Sequence, residues 1–353
     1  MLKQGHVPPR YAIYVEQKEM TEKIRTELYK LRDMDGWVVV HGMPGFGKTV
    51  LAAEAVRDAQ LLREVFPGGV NWLTVGQMLD RQGEVDAAKL LTKIQNLIVR
   101  LDEKRYRPPN LEAATDYLQK VISEQYPRSL LILDDVWSPE VAQAFAVRCR
   151  TMVTSRNSAV GSSVQAPHIY SVSVLEGFSE EEGKNLLGQW LHTKAESLPS
   201  HADVILKYCR GSPMSIALIG AILRKNNREA KWKAIADKLE KNHFSAIHLH
   251  AAVNDWTYQH QTLKSSIELS VESLPDHLKY QFEMFVVFDY NTLIPVEALE
   301  TIWDADTLDT EGYMMGELCH LSKPPGCGLL DEYISGNYRF PGLRVGPSNV
   351  FCI

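Results

Sequence analysis

The chain has 353 residues, 45% of them hydrophobic and 23% charged, the balance of a folded globular protein with room for two or three domains. Its formal net charge of −6 argues against a general affinity for nucleic-acid backbones, and no apolar run approaches the ~20 residues that a membrane-spanning helix needs. The five cysteines (Cys149, Cys209, Cys319, Cys327, Cys352) have no zinc-type spacing and read as free thiols, and the first ten residues lack the apolar core of a signal peptide, so a cytoplasmic protein is expected.

In chain order, residues 11–34 carry a helical pattern, with Met20, Ile24, Leu28 and Leu31 at spacings of three and four. Gly36 breaks it, and the β-branched run 37–40 predicts a strand buried on both faces. A helix follows over 50–59, then a strand over 68–75. Helices are predicted at about 86–101 and 111–125, separated by Pro108-Pro109. Strands are expected at 129–135, 149–155 and 168–174. Strands alternating with helices imply a parallel sheet wrapped by helices.

The pattern changes near residue 175. Residues 179–241 read as mainly helical, and Ser179 with Glu182 has the spacing of a capping box. The polar, His-rich stretch 242–255 reads as a linker. Helical patterns recur at 261–270, 275–284 and 295–303, with a short strand and turn within 285–295. From Pro324 onward the chain is rich in Gly and Pro and reads as loop or as an incomplete domain. The expected division is a nucleotide-binding α/β domain over 1–174, a helical domain over 175–256 and a partial winged-helix domain over 257–353.

The chemistry concentrates in GMPGFGKT, residues 42–49, which matches GxxxxGK[ST] between a predicted strand and a predicted helix. Gly42, Gly45 and Gly47 let backbone N–H groups converge on phosphate oxygens, and the following helix, entered through Val50, adds its positive end. Lys48 reaches the outer phosphates and the Thr49 hydroxyl suits Mg²⁺. LLILDD, residues 130–135, ends an apolar strand in two acids. Asp134 is the candidate Mg²⁺ ligand, and Asp135 the group that orients a water or accepts its proton. TMVTSRN, residues 151–157, ends another strand with Thr154 and Arg156, where a residue can sense a γ-phosphate.

Together with CRGSPMSIALIGAIL (209–223), these stretches resemble the NB-ARC module of STAND-type signalling ATPases. Within it, FPGGVNWLTVG and YPRSLLILDDVW are similar to the animal apoptosome-scaffold branch, from about Val7 to about Leu321. The resemblance implies an α/β P-loop NTPase domain, a helical domain and a winged helix, with ADP or ATP and Mg²⁺ as ligands. It places Val15 where a backbone meets adenine, Pro213 against the base or sugar, and Arg156 at the sensor position. It also implies a homo-oligomer on activation, a slow regulatory ATPase at most, and no membrane or nucleic-acid partner. The caspase-recruiting domain and the trigger-sensing WD40 repeats of that branch lie outside this sequence. Alternatives left open are a P-loop ATPase with real turnover and a truncated nucleotide-binding isoform without signalling activity.

Gln17 stands where those relatives carry arginine, and Thr49 where they carry serine. The His-Asp pair that ends their winged helix does not occur in residues 341–353, and His320 does not replace it by position. His248, His250 and His260 lack acidic or Cys partners at metal-binding spacing. Trp72, Trp137, Trp190 and Trp232 sit in apolar patterns and read as core. Ser155 and Ser212 have no nucleophile signature.

Overall fold

The β-branched run 37–40 forms the middle of β1 (Gly36–Gly42), a strand buried along nearly all its length. In the computed structural model, which describes residues 5–76, 78 and 85–249 together with short strands at 293–295, 337–339, 344–345 and 351–352, four more strands join it. These are β2 (Val70–Gly76), β3 (Leu130–Val136), β4 (Arg150–Ser155) and β5 (Ile169–Val174). All pairings are parallel, in the order β2-β3-β4-β1-β5. The five strands stand where the sequence predicts them, with bounds shifted by a residue or two. β1 pairs with β4 on one side and β5 on the other, so the chain leaves β1 for the far edge and returns to flank it. In open sheets of this kind ligands gather beyond the carboxyl ends of the strands, where the order reverses.

Helices cover the sheet. α1 (Lys18–Tyr29) packs against α2 (Lys48–Ala55), and α3 (Ala59–Glu64) follows. α4 (Ala87–Leu101) and α5 (Leu111–Gln125) pack together, each started by a side-chain cap, Asp86 onto the N–H groups of Ala88 and Lys89 and Asn110 onto that of Ala113. The apolar face of α4 (Leu90, Ile94, Leu97, Ile98) joins Trp37, Leu131, Leu133 and Val153 of the sheet in one core cluster. Two five-residue helices, α6 (Pro139–Gln143) and α7 (Ala159–Ser163), were not predicted, because so short a segment shows no periodicity.

Two compact units emerge. The first holds the sheet and comprises Met1–Arg10, Gln17–Met43 and Gly47–Leu175; the second comprises Tyr11–Glu16, Pro44–Phe46 and the chain from Glu176. Over residues 176–249 the second unit forms helices: α8 (Glu180–Leu191), α9 (His201–Cys209), α10 (Pro213–Lys225) and α11 (Glu229–Leu249). Ser179 and Glu182 form both halves of the expected capping box. Leu187, Trp190, Ile205, Ile219 and Trp232 lie in its core. No helix among the described residues is long and apolar enough to cross a membrane.

Four expectations need correction. The helix predicted over 11–34 spans only Lys18–Tyr29. Residues 11–16 are held in the second unit, where the Gln189 side-chain amide accepts from Tyr14 N–H (3.0 Å) and donates to Tyr14 C=O (3.1 Å). The helix predicted over 50–59 starts at Lys48 and divides after Ala55, because the Asp58 carboxylate caps a new helix by accepting from Leu61 N–H at 2.7 Å. α11 runs to Leu249, into the expected linker, since no Gly or Pro in 242–249 interrupts it. Within the tail read as loop, 337–339 pairs antiparallel with 293–295, and 344–345 pairs antiparallel with 351–352. The remaining expectations for 250–353, including the winged helix and its helices, His250, His260 and His320, lie outside the described residues.

Candidate functional site

β1 delivers the chain to the phosphate loop. Gly42 ends the strand at φ 148°, where a Cβ would stand 2.1 Å from the Val174 carbonyl oxygen, so only glycine fits beside β5. Gly47, at φ 81°, is the N-cap of α2, and here the left-handed backbone rather than crowding calls for glycine. The first backbone N–H groups of α2, from Lys48 through Val50, have no acceptor within their own helix, and they face outward with its positive end. That arrangement suits an anion.

Lys48 folds over the loop. Its Nζ donates to the carbonyls of Gly42 (2.9 Å) and Met43 (2.7 Å). Burial pushes its pKa down to about 8; Arg156 pushes the same way, and Asp135 and Asp134 oppose. An ammonium so deprived of water is one that a phosphate would stabilise.

Asp134, only 4% exposed, is the meeting point of three elements. Its Oδ1 accepts from Thr49 Oγ1 of α2 at 2.8 Å and from Thr154 Oγ1 of β4 at 2.7 Å. The same Thr154 oxygen accepts the Asp135 N–H at 2.9 Å. Burial raises the Asp134 carboxyl to about 6, and the two hydroxyls pull against that rise. Thr49 and Asp134 thus present a hydroxyl and a carboxylate side by side, hard oxygen donors of the kind magnesium takes. The desolvated carboxylate fits a group that a divalent cation would neutralise.

The register of β3 against β4 shifts between Leu133 and Val136, and Asp135 adopts φ 59° in this irregularity. Its Oδ1 accepts the Trp137 Nε1–H at 2.9 Å and lies 3.9 Å from Arg156 Nε. The Arg156 guanidinium sits over the Trp137 ring, 4.8 Å from its centroid. Trp137 is therefore half-buried and polar in its contacts, contrary to the core role predicted for it, whereas Trp72, Trp190 and Trp232 are buried as expected. The thiols of Cys149 and Cys209 are free and buried.

Gly42, Gly47, Lys48, Thr49, Val50, Asp134, Asp135 and Arg156 thus belong to the carboxyl-terminal ends of β1, β3 and β4 and to the start of α2. Gly45, Val15 and Pro213 belong to the second unit. There the Gly45 carbonyl accepts from Met214 N–H (3.3 Å) and Ser212 Oγ (3.4 Å), the turn that places Pro213 first in α10. Val15 is partly buried against the helical core. Gln17 is a buried residue of the first unit, and its carbonyl accepts the Thr21 N–H at 2.9 Å. Sequence reasoning missed the bridging role of Thr154 and the polar role of Trp137. A hydroxyl one residue from the end of the strand beside the acidic one was the available signal for the first.

This phosphate loop on a parallel sheet, with an acid at the end of β3, defines a P-loop nucleotide-binding ATPase fold. Residues 17–196 match the NB-ARC domain, and the chain belongs to the NB-ARC family. Over 315 residues it is 36% identical to apoptotic protease-activating factor 1 of Mus musculus and to that of Homo sapiens, pairing 88% of this chain with 24% of each. It is 25% identical over 339 residues to a putative late blight resistance protein homolog of Solanum demissum, pairing 91% of this chain with 23% of that one. The chain spans about a quarter of the length of these relatives. Among solved structures it is similar to a Walker-type ATPase of Pyrococcus abyssi, with a TM-score of 0.45 and 12% identity over 84% of this chain and 99% of that one.

Proposed function

We propose that this chain is the nucleotide-responsive core of a cytoplasmic molecular switch, in which ADP or ATP with Mg²⁺ controls assembly of copies in apoptotic caspase activation. Its membership of the NB-ARC family and its similarity to apoptotic protease-activating factor 1 support the apoptotic setting. In this reading residues 1–174 bind nucleotide, 175–256 form the helical part and 257–353 the winged-helix part. Caspase-recruiting and trigger-sensing functions come from other domains.

Lys48 and the start of α2 would hold the phosphates, and Thr49 with Asp134 would hold the cation, which would supply charge that neutralises them. Arg156 distinguishes triphosphate from diphosphate. Val15 and Pro213 bracket the base and sugar; the hydrogen bonds of the Ser212–Met214 turn to the Gly45 carbonyl support a coupling of that turn to the loop tip. A nucleotide shifts a conformational equilibrium only as far as it binds the two states unequally, and these contacts are where such inequality arises.

One observation carries the switch reading over rapid turnover. Asp135, the acid placed to activate a water, has its Oδ1 engaged by the Trp137 N–H and faces the Arg156 cation. An oxygen that already accepts one hydrogen bond and faces a cation is poorly placed to take a proton from water. The test is to identify the co-purified nucleotide, measure turnover, and compare molecular mass in ADP and in ATP by sedimentation. The expected result is retained adenine nucleotide, turnover far below ~1 s⁻¹, and a mass that differs between the two nucleotides. Turnover above ~1 s⁻¹ at unchanged mass would overturn the reading.

A further inference from the structure

Strands β3 and β4 run in register up to Leu133 and Val153 and resume at Val136 and Ser155, so two acids, Asp134 and Asp135, stand opposite one residue of β4, Thr154. That threonine is 1% exposed. Its hydroxyl joins both acids: it donates to Asp134 Oδ1 at 2.7 Å and accepts the Asp135 N–H at 2.9 Å. The direction of these bonds is forced. A backbone N–H can only donate and an ionised carboxylate can only accept, so the single hydroxyl proton of Thr154 goes to Asp134.

The same rule fixes Thr49. Its proton also goes to Asp134 Oδ1, at 2.8 Å, which leaves the lone pairs of Thr49 Oγ1 for a cation. Among the described residues no hydrogen bond reaches Asp134 Oδ2. Two hydroxyls on one oxygen hold the carboxylate against rotation, and they differ in kind. Thr49 is itself a candidate ligand and must answer to the cation. Thr154 is tied to the backbone of β3 through the Asp135 N–H and, being β-branched, has few rotamers open to it. It sets the angle of the carboxylate before any cation arrives.

We propose that Thr154 is a positioning residue for the cation site: by fixing the Asp134 carboxylate it sets the preference of the site for Mg²⁺ over Ca²⁺. Mg²⁺ demands oxygen ligands close to octahedral at ~2.0–2.1 Å, whereas Ca²⁺ accepts longer and looser arrangements. A carboxylate held at one angle serves the strict ion and adds little for the tolerant one. The inference rests on the reading of Thr49 and Asp134 as the pair that holds the cation.

The test uses the full chain and a fluorescent ADP derivative, and reads how much Mg²⁺ and Ca²⁺ each tighten its binding relative to EDTA. Thr154→Val, alike in shape but without the hydroxyl, should lower the Mg²⁺ effect ~tenfold or more. The Ca²⁺ effect should fall less than ~threefold, so that the preference for Mg²⁺ shrinks. Thr154→Ser, which restores a hydroxyl, should keep most of the preference. An unchanged Mg²⁺ effect in Thr154→Val, an equal fall for the two ions, or a serine variant as poor as the valine one overturns the inference and leaves Thr49 and Asp134 as the pair. A Mg²⁺ effect that survives Asp134→Asn, or that is absent from the unsubstituted chain, overturns both. Thr154→Ala reads the same quantities should the valine variant misfold, which its melting curve and its affinity in EDTA reveal.

Discussion

Strand β4 carries an arginine at each end, and the two behave differently. At its amino-terminal end, Arg150 is buried and donates to backbone carbonyls, to Leu31 at 2.7 Å and Arg32 at 3.2 Å, closing the end of α1 onto the sheet. Just past its carboxyl-terminal end, Arg156 leans on a ring face and faces a carboxylate at 3.9 Å. Carbonyl partners are fixed by the backbone, so Arg150 stays where the fold puts it. Arg156 meets side chains instead, an indole ring and a carboxylate. The arginine at the amino-terminal end thus closes side chain onto backbone, while the one at the carboxyl-terminal end joins the side chains gathered around Asp135.

The largest effect that would sharpen this contrast is expected from Lys48→Met at the functional end. Nucleotide affinity should drop at least ~100-fold by calorimetric titration, with little change in thermal stability, because removing a desolvated cation offsets the loss of its hydrogen bonds to the Gly42 and Met43 carbonyls. Arg150→Leu should do the reverse. Unfolding by urea should show a loss of about 1–3 kcal/mol, since the buried Leu31 carbonyl and the partly buried Arg32 carbonyl lose their donor, while the folded fraction keeps its nucleotide affinity. A variant at Arg150 that lost affinity at unchanged stability would break the comparison.

Asp134→Asn should be smaller and opposite in sign. The amide oxygen still accepts from Thr49 and Thr154, but no charge is buried. Stability should rise by about 1–3 kcal/mol while Mg²⁺-dependent binding disappears. The mildest perturbation is pH. Asp134 has its folded pKa raised to about 6 from an ordinary value of 3.8, so its contribution to stability is fully present below about 4 and is lost as pH rises through about 6. Metal-dependent nucleotide affinity should run the other way, weakening as pH falls below about 6 by up to tenfold per unit. Melting curves of the metal-free protein, taken as the difference from Asp134→Asn between pH 4 and 7, isolate the stability part. A difference that stays flat over that range would remove Asp134 as the titrating group.

Much of the first unit is legible along the chain. The strands follow from short β-branched and apolar runs, the loop from its glycines and Lys48-Thr49, and the start of α8 from Ser179 and Glu182, because each depends on neighbours a few residues away. Errors fall where a distant partner intervenes. Residues 11–16 have a helical pattern, yet Gln189, 175 residues on from Tyr14, takes up the backbone N–H and C=O of Tyr14 outside the helix. Trp137 has the apolar context of a core residue, yet the shift in register at Asp135 turns it toward a carboxylate and an arginine. Helix α11 continues into the polar stretch from residue 242, since nothing in it breaks a helix.

What the sequence by itself determined is therefore the kind of chemistry and the elements that carry it: a phosphate loop at the mouth of a helix, and acids at the end of an apolar strand. Only the tertiary structure decided that Thr49 and Thr154, 85 and 20 residues from Asp134, place their hydroxyls on one of its oxygens, and that Trp137 meets both Asp135 and Arg156. Local pattern is set by backbone periodicity and capping, which act over a turn or two. The meeting of those side chains is set by strand order and register, which no short stretch of sequence encodes.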